Sequence, residues 1–171
     1  MVREFANEAD IVELFADRLA DKVPGVTAET VLITTDQFPN RYPTGDLFLT
    51  VAEAGGQFND ALFAGGGHEQ VSENISLVVS IFASSHLDRS DEARAALLAE
   101  DKGIIRNHKR DVLRALLVSW EPETGGNLQS RSMPAPSSST PPQYIQPEDG
   151  GKVFIMVALT FAVVYDWNLG E

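Results

Sequence analysis

Three histidines are the side chains of this 171-residue chain best suited to chemistry, and each stands in a different setting. His68 is followed by Glu69, His86 lies two residues before Asp88, and His108 adjoins Lys109 and Arg110. An imidazole beside a carboxylate could share a proton or an ion, and His86 with Asp88 falls at an expected strand-to-helix junction. A metal site takes three or four protein ligands, however, and neither H-E-x-x-H nor any comparable spacing supplies them. His108 reads as a solvated residue on a basic helical face. Gly65-Gly66-Gly67-His68 lacks the G-K-[S/T] ending of a phosphate loop and leads into a strand-like segment instead of a helix. The G-x-S-x-G, S-x-x-K and post-strand G-x-G-x-x-G patterns are absent, and no pair of carboxylates can be placed on converging elements as acid and base. The chain therefore reads as non-enzymatic, with no catalytic residue, cofactor or metal expected. A small hydrolase or metal-binding protein using His68, His86 and Asp88 is the alternative.

The elements that would position such residues are dominated by the segment from Val153 to Asp166. Its odd positions, Val153 to Tyr165, are unbroken apolar, and Phe154, Met156, Ala158, Ala162 and Val164 make the other face apolar too. At ~3.3 Å per residue this strand would exceed the usual length and needs cover on both faces. Earlier, Ile11, Val12, Phe15 and Leu19 recur at helical spacing, and Pro24-Gly25 ends that helix. Val31 to Thr35 reads as a short strand, followed by a proline loop from Gln37 to Gly45. Leu47–Ala52 and Phe58–Ala64 flank Gly55-Gly56 and predict a β-hairpin, and alternation from Val71 to Ile81 predicts a half-buried strand. These strands read as an antiparallel meander. Asp91 to Trp120 carries helical spacing interrupted at Gly103, which predicts a kinked helix or a helical hairpin. The expected fold is α+β: one antiparallel or mixed sheet of about five strands with helices packed mainly on one face.

Residues 122–151 differ in kind, holding six of the nine prolines and the run Ser130 to Pro142. This composition cannot bury enough apolar surface to fold alone, so the segment reads as an extended arm or loop that orders against a neighbour. The rest, with 43% hydrophobic residues, suffices for a single domain over 1–171. Absent cysteine excludes disulfides and thiolate metal sites. Nothing in the first ten residues reads as a signal or transit peptide, and no segment reads as a membrane-spanning helix. The net charge is −12, unevenly spread: His86 to Arg114 holds seven basic and six acidic residues, against six and nineteen elsewhere. An acidic body disfavours binding to a phosphate backbone.

In its order of helix, short strand, hairpin, long strand, helical segment and final long strand, the chain resembles the tail terminator (tail-completion, neck) proteins of long-tailed bacteriophages and phage-derived particles. The resemblance is carried by Ile75-Ser76-Leu77-Val78-Val79-Ser80-Ile81-Phe82, by Asp91-Glu92-Ala93-Arg94-Ala95-Ala96-Leu97-Leu98, by Val112 to Leu117 and by the late strand. It covers most of the chain outside residues 122–151 and rests on hydrophobic patterns. It implies a structural virion protein, assembled in the host bacterial cytoplasm, that forms a hexameric ring. That ring would cap the tail tube protein and join it to the head–tail connector, with DNA passing through the lumen unbound and no membrane involved. Exposed aromatic or apolar character in loops nominates Phe38, Arg41, Tyr42, Phe58, Phe63, Tyr144 and Ile145 as subunit or partner contacts, and Glu69 and Glu73 as acidic lumen positions. Another neck, head-completion or contractile-injection component remains an alternative. So does a monomeric binding module whose Pro134-Ala135-Pro136 and Pro141-Pro142 serve as a polyproline ligand.

Overall fold

A computed structural model describes residues 8–58, 70–85, 91–118, 134–148 and 152–168. The elements run α1 (Glu8–Lys22), β1 (Val31–Ile33), β2 (Leu47–Phe58), β3 (Gln70–Ser84), α2 (Asp91–Leu117), β4 (Ala135–Ser139), β5 (Gln143–Ile145) and β6 (Phe154–Asn168). All six strands belong to one mixed sheet of order β1-β2-β3-β6-β4, with β5 also paired to β6. The fold is the α+β arrangement that the alternation predicts, with both helices on one face.

The strand period explains that placement. Odd residues of β3 and β6, among them Leu77, Val79, Ile81, Ile155, Val157 and Phe161, form one core with Ile11, Phe15 and Leu19 of α1 and Ile105, Val112 and Leu116 of α2. Phe15 meets Phe161 edge-on at 6.3 Å. Burying one side chain of this size is worth roughly 1.5–3 kcal/mol, so this face supplies much of the stability. Arg18 ties the helices together, donating from Nε to the Ala115 carbonyl and from Nη2 to that of Val118, both at 2.7 Å.

Four sequence expectations are corrected. Gly55-Gly56 is not a hairpin turn: β2 runs through it, with a bulge between Glu53 and Gly56 where its register against β3 slips. Gly55 has φ +94, a conformation that costs glycine little, and the fifteen-residue β3 offers an edge long enough to keep β2 paired beyond it. Gly103 does not break α2, which continues for 27 residues. Its cost of about 1 kcal/mol is outweighed by Ile105, Val112 and Leu116 packing on the sheet. β1 pairs parallel to β2, so the sheet is not a simple meander. Finally, residues 135–139 and 143–145 of the proline-rich segment pair antiparallel with β6 of their own chain. Pro136 is accommodated because it lies at an edge, beside a bulge at Ser137.

Candidate interaction surface

Joining two parallel strands requires a crossover, and here residues 34–46 supply it as a loop laid over the sheet face opposite the helices. Buried Thr50 donates through Oγ1 to the Gln37 carbonyl at 3.2 Å, and the Ser84 amide donates to the Asp46 carbonyl at 2.7 Å, pinning both ends. Between them Tyr42 stacks on Phe154 at 5.8 Å and meets Phe48 and Phe82 edge-on at 5.9 and 6.0 Å. Phe48 and Phe82 themselves stack at 4.5 Å. Such ring pairs add about 0.5–1.5 kcal/mol each beyond area burial. Burial also raises the Tyr42 hydroxyl above its ordinary pKa.

The nominated contact residues therefore divide. Tyr42 is half-buried inside this aromatic cluster and Ile145 packs at its margin, so both serve the chain's own second core. Phe38 touches Phe82 edge-on at 6.4 Å yet stays exposed, as does Arg41 beside it. Phe58, at the far end of β2, is 57% exposed. Glu73 is only 7% exposed and stands where a Cβ on Gly56 would collide with its carboxylate, so its side chain is covered within the single chain. Phe63 and Glu69 lie outside the described residues, as do His68, His86 and Asp88. Exposed Ile33 and Val118 were not singled out by the sequence reading. Ile33 closes a strand too short for alternation to separate inward from outward positions, and Val118 sits just past the last helical turn.

The aromatic cover ends part-way up the sheet. Beyond the row Thr50, Ser80, Ala158, the same face continues through Val78, Thr160, Ala162 and Val164, all half-buried, to exposed Gln57 and Asn74. These are small or β-branched groups on a smooth surface, beside the exposed outer strand β4.

Along β6 the proline-rich segment is held by side chains as much as by ladder bonds. Thr140 takes the Ala158 amide on its Oγ1 and gives its own amide to the Ala158 carbonyl, both at 2.9 Å. Lys109 of α2 donates to Ser139 Oγ at 2.8 Å. Asp101 of α2, 2% exposed, accepts Ser85 Oγ at 2.6 Å and the Tyr144 hydroxyl at 3.1 Å on the same oxygen. Burial, then the hydrogen bond and charge of Asp101, push the Tyr144 hydroxyl up to about 12. This node joins α2, the end of β3 and β5.

Among the described residues no group of three His, Cys, Asp or Glu side chains could hold a metal, and no helix is long and apolar enough to cross a membrane. His108 is half-buried, and burial lowers its pKa against the opposing pull of Asp111. Its Nδ1 and the Ser80 Oγ are buried without a hydrogen-bond partner. The arrangement can bury and present surface. No protein-family model matches this chain. No curated protein is significantly similar to it either.

Proposed function

We propose that this protein is a structural, self-assembling subunit, and that its assembly is a tail-terminator ring of the phage type, closing a tail tube and meeting the head–tail connector while DNA passes without specific binding. The observation that carries the assembling part is the half-finished second face of the sheet. Its lower half is sealed by Tyr42 and the proline loop, whereas Val78, Thr160, Ala162 and Val164 continue the same face half-buried toward exposed Gln57 and Asn74. A neighbouring subunit laid on that stretch would complete the cover, and ring interfaces use such surfaces. The choice of terminator over other neck or injection-machine components rests on the resemblance in element order.

The acidic balance, net −12, supports a channel wall that repels DNA. Assembly in a bacterial cytoplasm and incorporation at the tail neck of a virion follow from the same reading, as does the absence of any catalytic step. Light scattering of the purified protein, alone and with the tail-tube protein, tests it. A six-fold mass, or ring formation driven by the tube, is expected. A strict monomer that ignores the tube overturns the proposal.

A further inference from the structure

The two helices turn oppositely charged ridges to solvent. On α2, Lys102, Arg106, Arg110 and Arg114 recur at every fourth position, and all four are exposed. On α1, Glu13, Asp17 and Asp21 recur at the same interval and are exposed, on the side away from buried Ile11, Phe15 and Leu19. Four residues of helix advance ~6 Å, so both ridges space their charges equally. Like charges at this spacing disfavour an isolated helix, which makes a ridge of them a cost that a partner can offset. The ion pair of Asp21 with Lys22 at 2.7 Å and that of Arg110 with Asp111 at 3.6 Å each join neighbours on one helix.

We propose that the basic α2 ridge of one copy of this chain docks along the acidic α1 ridge of the next. The inference rests on the self-assembling part of the function proposed above and adds a second contact, on the helix side of the sheet and separate from its open face. Charge distribution favours a second copy as the occupant. The chain concentrates seven of its 13 basic residues between His86 and Arg114, and its remainder is strongly acidic, so every copy carries both halves of the contact. A nucleic acid would meet the same four cations, but on a body of net charge −12 that repels it. Because the two ridges are different surfaces, the contact is head-to-tail: each docked pair leaves one ridge of either sign for further copies, and the series ends only when the rotation closes a ring. The charges set the register and direction of this contact, which lies on the helix side of the sheet.

The test uses the full chain in two charge-reversed forms, one carrying Arg106→Glu, Arg110→Glu and Arg114→Glu, the other Glu13→Lys, Asp17→Lys and Asp21→Lys. All six positions are exposed, and circular dichroism checks that each form folds. Light scattering, with and without the tube protein, should show the wild type assembling and each form alone dissociating, with the dissociation constant raised by about 100-fold or more. An equal mixture of the two should assemble again, because each reversed ridge then faces its opposite. Wild-type assembly should also weaken as salt is raised from about 0.05 to 1 M, across which the screening length shortens several-fold. Variants that assemble like the wild type, or that stay apart when mixed, overturn the ridge contact and leave self-assembly standing. A wild type that remains monomeric under every condition overturns both.

Discussion

The two faces of the sheet are built by different means. The helix-bearing face is mostly aliphatic, with Phe15 and Phe161 among its side chains, and continuous from Leu49 and Ile81 to Val163, because two helices spread many side chains over it. The opposite face is aromatic and local: Phe48, Phe82, Phe154 and Met156 are sealed by one loop whose chief contribution is the Tyr42 ring. A loop confined between β1 and β2 cannot reach farther up the strands, so this face ends open. The difference teaches that the same alternation yields a closed core where helices lie and a half-buried, open apolar surface where they do not.

The comparison can be broken most forcefully on the helix side. Phe161→Ala should remove about 4 kcal/mol of stability by chemical denaturation, since its fully buried ring bridges β6 to Phe15 of α1 and the helices cannot collapse into the space. Tyr42→Ala on the other face should cost less, about 2 kcal/mol, because the loop can settle as the half-buried ring is lost. It should also release the proline loop, read as faster amide exchange across residues 36–45. Equal costs for the two substitutions would erase the distinction between the faces.

A smaller effect sharpens the edge beside them. Tyr144→Phe removes the hydroxyl that Asp101 accepts and should cost about 1 kcal/mol at neutral pH. Its pH signature has a definite sign. The Tyr144 proton is held more tightly in the folded state, about 12 against an ordinary 10, so its contribution is complete below about 10 and fades as pH rises toward 12. The wild type should lose stability across that window relative to the phenylalanine variant, and a constant difference would show that the hydroxyl does not titrate in this environment. Smallest of all, Ser80→Ala deletes a fully buried hydroxyl without a hydrogen-bond partner and should be neutral or stabilising by up to about 1 kcal/mol. Appreciable destabilisation would reveal a partner for that hydroxyl.

Local pattern already contained α1, the inward residues of β3 and the two-sided apolar character of β6, because periods of 3.6 and 2 report directly on which side chains are buried. Pattern misjudged Gly55-Gly56 and Gly103, where local preference points to a turn or a break and long-range pairing or packing prevails. Of the candidate surface, exposed Phe38, Arg41 and Phe58 could be nominated from loop or strand-end character, but Tyr42 could not be assigned: an aromatic in a proline loop looks the same whether it faces solvent or closes a core.

What the sequence determined by itself was therefore α1, the inward face of β3, the two-sided apolar character of β6 and the contrast between a basic α2 region and an acidic remainder, all properties of neighbouring residues. Only the tertiary structure decided that β1 runs parallel to β2 and sends its loop over one face, that the proline-rich segment pairs with β6, and that Asp101 lies against Ser85 and Tyr144. Those facts join residues far apart in the chain, and contacts of that range follow from how whole elements share a core, which no local period records.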